Sequence, residues 1–333
     1  MYVLTETFKR FFDSEKTSGL ILIACTVLSL ALANSTLGPS WLALWNSELF
    51  GLSLSHWIND GLMAIFFLLI GLELERELYV GELSNFRNAL LPVVAAIGGM
   101  AAPALIHYFF NAGLPTQAGI GIPMATDIAF ALGALALLGT RVPPVLKVFV
   151  VAFAVIDDLG AIVLIALFYS GDLSMMHLAG GLAIWVALLL LNRFGRVHAL
   201  PIYLLGGVVM WALMLKSGVH ATIAGVMLAF AIPFWSPAAD QHSPSHRLEN
   251  LLHKPVTLLI LPLFALANTG VVLDASLLSP LLDPNSLGIM SGLVIGKPVG
   301  ILLCALLTLW LGWCVLPEDL NWRHVLGAGM LVG

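Results

Sequence analysis

The sequence is poor in charged residues. Asp, Glu, Lys and Arg make up only 10% of its 333 residues, against about 25% in soluble domains, and 60% of the chain is hydrophobic. The 14 basic residues are outnumbered by 19 acidic ones, which argues against nucleic-acid partners. This composition predicts a polytopic membrane protein whose surroundings are a lipid bilayer.

Cysteine and enzyme motifs are also scarce. Cys25, Cys304 and Cys314 lie in apolar stretches without a pairing or metal-binding spacing, which favours small core residues. The chain has no glycine-rich loop ending in Gly-Lys-Ser/Thr, so ATP-driven transport is unsupported. It also has no HExxH motif and no nucleophile elbow with a matching base. We therefore expect neither an enzyme nor a bound cofactor.

Long apolar stretches recur about ten times along the chain and predict an all-α fold of membrane-spanning helices. They lie near residues 18–33, 57–72, 89–110, 119–138, 144–169, 174–192, 199–215, 217–235, 251–272 and 286–315. Twelve of the 14 basic residues fall in every other connection, beginning before the first stretch, which predicts a cytoplasmic N-terminus. The exceptions are Lys216, expected at an outer helix end, and Lys297.

Two adjacent carboxylates, Asp157 and Asp158, interrupt the apolar stretch at 144–169. Each acid at a helix centre costs roughly 2.5–3.5 kcal/mol on insertion, so such residues normally mark an ion or proton pathway. The alternative is a carboxylate pair that neighbouring helices merely satisfy with hydrogen bonds. The pair predicts a site for a cation, a proton, or both in turn.

Lys297 lies deep in the last long apolar stretch and needs a carboxylate partner, unless its ammonium reaches the membrane interface. The acids available at depth are Asp157, Asp158, Asp127 and, less deep, Asp60. Successive residues of an α-helix diverge by about 100°. One of the two adjacent aspartates can therefore face Lys297 while the other faces a water-filled cavity.

Asp127 follows two glycines, a proline and Thr126 within the apolar stretch at 119–138. Such residues at mid-depth are typical of a discontinuous helix, whose free backbone groups need a nearby charge or ion. Asp127 can then offset the positive end of one half-helix, and Lys297 the negative ends. A proline-kinked helix with a hydrogen-bonded aspartate is the alternative.

Three further charged positions carry weaker signals. Asp60 begins the stretch at 57–72 and is either a functional acid or only an N-terminal cap or interface residue. The run from Glu73 to Glu77 ends the same helix, where charged residues usually form a solvated face. His220 lies near an outer boundary, and histidine as a residue type suits a pH role, although a hydrogen-bonded helix histidine is the simpler interpretation.

The polar motifs of the apolar stretches resemble those of the bacterial NhaA Na⁺/H⁺ antiporters. The main ones are Val155–Ile162, Ala125–Gly133 and Ile295–Pro298; supporting ones are Trp57–Ala64, Gly71–Leu78 and Lys216–Ala221. The similarity runs from about residue 8 to the end of the chain. The combination is highly specific.

The resemblance implies a single transporter domain over residues 1–333, built from inverted repeats with two discontinuous helices crossing at mid-membrane. Family members have 12 helices. The chain would then contain about ten complete helices and part of an eleventh, and we expect it to be truncated at its C-terminus. The resemblance also implies a homodimer formed through a hairpin that includes Leu49–Ser55.

The implied activity is electrogenic, pH-regulated exchange of cytoplasmic Na⁺ or Li⁺ for external H⁺ across the bacterial inner membrane. Asp158 would carry the ions, Asp157 would pair with Lys297, and Thr126 and Asp127 would lie at the crossing. The pH-response cluster would contain Glu73, Arg76, Glu77 and Glu249. This sequence has Glu75 where the family usually has Lys, and Asn250 where its best-known members have His.

Two other functions also use membrane-embedded aspartates. A Na⁺-coupled solute symporter fits the broken helices but leaves Lys297 unexplained. An intramembrane aspartyl protease places its two acids on different helices, with Tyr-Asp and Gly-x-Gly-Asp signatures. Here Asp157 and Asp158 are sequence neighbours, and neither signature accompanies an intramembrane aspartate.

Overall fold

The computed structural model describes residues 6–80, 84, 86–124, 126, 131, 135, 138, 142–168, 173–234, 243–273, 281–314, 316 and 320–333. Side chains are described for these residues except 6–18, 86–89, 144, 148, 155, 158–159, 161–163 and 165–168. Asp127 is therefore outside the described residues. Asp158 is described only as part of a helix.

The described part of the chain is almost entirely helical. Its α-helices are α1 (Glu6–Ala33), α2 (Gly38–Trp45), α3 (Leu54–His56), α4 (Met63–Tyr79), α5 (Phe86–Asn111), α6 (Pro144–Phe168), α7 (Met175–Arg193), α8 (Leu200–Ser217), α9 (Ile223–Ala229), α10 (Pro244–Pro255), α11 (Leu261–Asn268), α12 (Pro284–Ser291), α13 (Lys297–Trp310) and α14 (Trp322–Val332). Three π-helices join neighbouring α-helices: Trp57–Leu62, Val256–Ile260 and Gly292–Gly296. A 3₁₀-helix covers Pro115–Met124.

Six of the described helices are long and apolar enough to cross a membrane. They are Leu54–Tyr79, Leu90–Asn111, Met175–Arg193, Leu200–Ser217, Pro244–Asn268 and Pro284–Trp310. A seventh span is counted if Gly19–Ala33 and Gly38–Trp45, bent by 120°, are taken as one. The predicted fold class, an all-α polytopic membrane protein, is confirmed.

Two predicted stretches do not form simple spans. The stretch at 119–138 begins in the 3₁₀-helix, which ends at Met124, and Thr126 is not helical. The helix is thus interrupted where glycine and proline predict it. The stretch at 217–235 contains α9, an α-helix of only seven residues. Apolar length alone predicted a span there, but the chain turns at Gly218, whose φ of 83° ends α8 in the left-handed region.

The contacts of the chain divide into two compact units. The first contains residues 81–164 and 273–333, together with the N-terminal segment through Gly19. In this unit α5 packs against α13, α12 and the 3₁₀-helix, and α14 packs on α13. Its buried core joins Ala95 of α5, Phe153 of α6, Ile301 of α13 and Val325 of α14.

The second unit contains residues 20–80 and 165–272. Here α4 packs against α9 and α10, and α7 packs on α8. Its largest core cluster includes Leu72 of α4 and Met210 of α8. Leu182, Val186 and Leu190 of α7 are exposed. An exposed apolar face on a helix of membrane-spanning length is suited to lipid.

A two-stranded antiparallel hairpin, β1 (Glu48–Leu49) and β2 (Leu52–Ser53), precedes α3. Its turn residues Phe50 and Gly51 both have positive φ, at 52° and 83°, as a tight two-residue hairpin requires. Phe50 is highly exposed at the tip. The segment expected to contain part of a hairpin therefore does so.

Helices α5 and α13 of the first unit approach each other closely at two glycines. A Cβ built on Gly300 would lie 2.1 Å from the carbonyl oxygen of Gly98, and one on Gly98 would lie 2.3 Å from the carbonyl oxygen of Gly300. Membrane helices approach this closely where small residues remove the side chains between them. The two glycines therefore set the distance between α5 and the helix that begins at Lys297.

We expect Gly300→Ala to destabilise the protein by about 1–3 kcal/mol, because the new methyl group overlaps backbone and the helices must separate. Thermal unfolding of the purified protein in detergent measures this loss. Gly327→Ala on α14 is the matched control, since nothing lies within 4 Å of its Cβ position. Equal midpoints for the two variants would contradict the close approach.

Candidate ion-binding site

A buried ion pair joins Asp157 of α6 to Lys297, the first residue of α13. The distance between Lys297 Nζ and Asp157 Oδ2 is 3.0 Å, and both side chains are fully buried. A single charge at this depth would be strongly unfavourable, whereas a contacting pair offsets much of the penalty. The expected pairing of Lys297 with one of the two adjacent aspartates is therefore present, and Asp157 is the partner.

Lys297 has two further acceptors on the interrupted segment. Its ammonium donates to the carbonyl oxygen of Met124 at 2.6 Å and to Thr126 Oγ1 at 2.5 Å. An ammonium has three N–H donors, and with Asp157 these contacts supply three acceptors. Met124 is the last residue of the 3₁₀-helix, so its carbonyl oxygen belongs to the negative end of a helical segment.

Thr126 connects the acid to α14. Its hydroxyl donates to Asp157 Oδ2 at 2.6 Å, and the carbonyl oxygen of Val332 lies 3.3 Å from the same hydroxyl. Val332 belongs to α14. A backbone carbonyl group of α14 therefore lies beside Thr126, close to the residue that ends the 3₁₀-helix and to the ion pair.

The helix that carries Lys297 is irregular just before it. Residues Gly292–Gly296 form a π-helix, and Pro298 follows Lys297. Proline has no N–H to donate, so an unbroken α-helical ladder cannot pass this point. Single π-turns are frequent at functional sites because they change the direction of the following side chain without ending the helix.

The two oxygens of the Asp157 carboxylate differ. Oδ1 is buried and has no partner among the described residues, although Oδ2 has two. A buried carboxylate oxygen without a donor has the full desolvation penalty unless a proton or a cation reaches it. The arrangement can therefore accept either ligand at Oδ1 while Oδ2 stays bonded to Lys297 and Thr126.

Asp158 follows Asp157 on α6, but its side chain lies outside the described residues, and so does all of Asp127. The predicted roles of these two acids stay predictions. The sequence did not single out the carbonyl oxygens of Met124 and Val332. Backbone acceptors have no residue-type signal, and only the Gly119–Pro123 interruption pointed to free carbonyl groups nearby.

Asp60 does not cap a helix, contrary to one of the two interpretations of the sequence. The helix begins earlier, at Leu54, and its cap is Ser53, whose hydroxyl accepts from the His56 N–H. Asp60 lies inside the π-helix Trp57–Leu62 and contacts His56 Nε2 at 3.2 Å. Ser53 was missed because the hairpin brings the helix start forward.

A second charged cluster joins the end of α4 to α10. Arg76 donates to Glu249 at 3.0 Å and contacts Glu77 at 3.3 Å. His246 Nδ1 lies 3.5 Å from Glu249. Arg76, Glu77 and Glu249 are therefore brought together, as the family resemblance implies for a cluster that also includes Glu73.

This cluster is not a solvated helix face, which is the usual state of charged residues at a helix end. Glu73 and Glu75 are buried, and Ser245 donates to Glu75 at 3.1 Å. The sequence did not identify His246 or Ser245. The Ser243-Pro244 pair could have indicated where α10 begins, because serine is a common helix cap and proline a common first residue. The packing of α10 against α4, which the sequence does not indicate, then brings these residues to the cluster.

His220 does not join the charged cluster. It is exposed in the turn between α8 and α9, where its carbonyl oxygen accepts from the Ile223 N–H. The hydrogen bonds and ion pairs described for Arg76 and Glu249 do not include it. The alternative interpretation of His220 as a helix residue is wrong, because α8 ends at Ser217.

Comparison with known proteins decides the family. The sequence model of the family Na⁺/H⁺ antiporter 1 matches residues 9–333. The chain belongs to this family. A Na⁺/H⁺ antiporter NhaA of Dechloromonas aromatica is 64% identical over 330 residues, which cover 99% of this chain and 85% of that relative. One from Cytophaga hutchinsonii is 56% identical, with 99% and 84% covered.

A more distant relative, a Na⁺/H⁺ antiporter NhaA of Mesorhizobium japonicum, is 48% identical over 331 residues, covering 98% of this chain and 83% of that relative. The resemblance inferred from the aspartate and lysine motifs is confirmed at the level of the family. These matches do not support the expected C-terminal truncation.

We expect Lys297→Met to destabilise the protein by roughly 3–5 kcal/mol, because it leaves Asp157 buried without its partner. The double variant Asp157→Asn/Lys297→Met removes both charges and should recover a large part of this loss. Thermal unfolding in detergent at neutral pH measures both.

Lys216→Met is the matched control for this measurement, since Lys216 is exposed at the end of α8 and should tolerate the same change. If the effects of Asp157→Asn and Lys297→Met simply add in the double variant, the two side chains are not energetically coupled.

Proposed function

We propose that this protein is a secondary transporter that exchanges cytoplasmic Na⁺ or Li⁺ for external H⁺ across the bacterial inner membrane. The observation that carries the proposal is the buried ion pair of Lys297 with Asp157, beside Thr126 and with Asp158 as the next residue of the same helix. The printed names of the relatives, Na⁺/H⁺ antiporters, support the same activity.

The adjacent aspartates would divide the chemistry between them. Asp157 is neutralised by Lys297, so an ionised Asp158 is the remaining charge that a proton or a Na⁺ ion can neutralise. The two ligands then compete for one carboxylate. Only the carboxylate that has bound one of them is neutral enough to become exposed to the other side of the membrane at a low cost in free energy. Exchange coupled in this way moves Na⁺ outward at the expense of the proton gradient. We propose that it is electrogenic.

The crossing of helix ends would supply the movable part of the site. The Met124 carbonyl oxygen at the end of the 3₁₀-helix is a partial negative charge that Lys297 offsets. Asp127, next in the chain, would offset the positive ends of the other half-helices. A site built from short segment ends can change its exposure with small rigid movements. Residues 1–333 would act as one transport domain with inverted repeats.

The cluster of Arg76, Glu77 and Glu249, with buried Glu73, would set the pH response. Its acidic excess surrounds one arginine, and His246 contacts Glu249, so protonation changes the balance of its ion pairs. Glu75 and Asn250 replace residues usual in the family, so the threshold would differ from that of the best-known members. His220 would contribute separately from the outer side, as would Asp60 with His56.

The exposed hairpin would form the interface of a homodimer. Phe50 at its tip is an apolar side chain on a two-stranded ribbon, which is rarely stable without further contacts. The N-terminus would lie in the cytoplasm, as the distribution of basic residues predicts.

Reconstitution tests the transport activity. In proteoliposomes that contain a pH-sensitive dye, a Na⁺ or Li⁺ pulse should move protons for the wild type. Asp158→Asn should abolish this movement, because the amide cannot exchange a proton for a cation. Glu48→Gln is the matched control, an exposed acid on the hairpin. Retained exchange by Asp158→Asn would exclude the proposed carrier.

The pH-response proposal has a separate test. Arg76→Gln should move the pH at which exchange is half-maximal while leaving the maximal rate close to that of the wild type, because Arg76 belongs to the charged cluster and not to the Asp157 site. Arg323→Gln, at an exposed arginine, should move neither quantity. An unchanged pH dependence for Arg76→Gln would remove this cluster from the regulatory proposal.

A further inference from the structure

A buried polar network lies at one end of α5, away from the ion pair. It consists of His107 and Asn111 of α5, Thr116 of the 3₁₀-helix and Asn285 of α12. His107 and Asn111 are completely buried. Burying polar side chains within a membrane protein costs free energy. Such residues usually fix neighbouring segments or take part in function.

Asn111 connects three chain segments. Its side-chain amide donates to the carbonyl oxygen of His107 at 2.9 Å and to that of Pro284 at 3.3 Å. Its Oδ1 accepts from the Thr116 hydroxyl at 2.7 Å. One asparagine therefore ties the beginning of the 3₁₀-helix and the beginning of α12 to α5.

His107 adds a second bond to α12. Its Nε2 lies 3.0 Å from Asn285 Oδ1, while its Nδ1 is buried without a partner among the described residues. An amide oxygen can only accept, so Nε2 carries the ring proton and donates it. Among the described residues the network is a set of directional hydrogen bonds without an ion pair.

Packing around the network is equally close. A Cβ built on Gly288 of α12 would lie 2.8 Å from Asn111 Nδ2 and 3.2 Å from the Cα of His107. One built on Gly119 of the 3₁₀-helix would lie 3.4 Å from the His107 ring. Both segments are thus seated directly on this part of α5.

The two segments held here are the ones that form the Lys297 site. The 3₁₀-helix runs from Pro115 to Met124, whose carbonyl oxygen binds Lys297, and Thr126 follows. Asn285 precedes Lys297 by 12 residues along a continuous helix, about 18 Å at 1.5 Å per residue. A shift of either segment along α5 would change the distances among Lys297, Thr126 and Asp157.

We propose that His107, Asn111 and Thr116 are positioning residues for the ion-binding site: their network on α5 sets the register of the segments that carry Thr126 and Lys297. This inference rests on the proposed exchange function. It predicts that breaking one bond of the network weakens cation binding at a distance, without any change in the residues that touch the ion.

Matched pairs of variants test the network. Thr116→Val removes the hydroxyl at constant shape, whereas Thr116→Ser keeps it; His107→Leu removes the ring donor, whereas His107→Gln keeps a side-chain N–H. We expect Thr116→Val and His107→Leu to raise the apparent KM for Na⁺ roughly three- to tenfold, with a smaller change in maximal rate per folded protein. The conservative variants should stay closer to the wild type.

The double variant His107→Leu/Thr116→Val should raise the apparent KM by less than the product of the single effects, because both act through one network. Ser286→Ala is the hydroxyl-removal control on α12, since no hydrogen bond of its side chain is described. Thermal unfolding of each variant measures the folded fraction.

The outcomes separate the two proposals. Suppose that the wild type exchanges Na⁺ for H⁺ and that Thr116→Val and His107→Leu do so with the same apparent KM, even if less of each variant is folded. This result would overturn the positioning role and leave the proposed function intact. Absence of exchange by the wild type would overturn both. A raised apparent KM that the conservative variants restore would support the network as a determinant of cation affinity.

Discussion

The pairing of Lys297 with Asp157 is the constraint on which the first unit depends. Both groups are completely buried, so each is tolerable only at contact distance from the other and with its remaining donors and acceptors engaged. Three segments must therefore arrive at one point: α6 with the acid, α13 with the lysine, and the interrupted segment with Thr126 and Met124. The packing of this unit places these segments with close backbone contacts.

The backbone of α5 provides the common surface for that placement. Near its middle, Gly98 lets α13 approach to backbone contact, and at its end Asn111 bonds both α12 and the 3₁₀-helix. None of these groups is charged. The first unit thus separates its tasks: small residues and neutral amides fix the helices, while the ionisable groups stay at the site where a cation and a proton can exchange.

The sequence predicted the parts of this arrangement that leave a residue-type signal. An isolated lysine among apolar residues required an acid, and the pair at Asp157 was one of few available. The sequence did not decide which aspartate faces Lys297, because neighbouring helix positions differ only in direction. It missed the Met124 and Val332 acceptors, which are backbone groups. The sequence placed the helix start too late, near Asp60, and predicted a solvated face where Glu73 is in fact buried. Both features depend on packing against segments distant in the chain.

A buried ion pair suits an exchanger because its net stability is small. Two buried charges lose most of their Coulomb attraction to desolvation, so the pair at Asp157 and Lys297 is close in free energy to alternatives in which a proton or a cation takes the place of one interaction. Transport requires binding strong enough to load the site and weak enough to release the ion. Asp157 holds Lys297 and Thr126 through Oδ2, while Oδ1 has no partner among the described residues. Such a site meets both conditions, provided that the surrounding segments hold their register while the ligand changes.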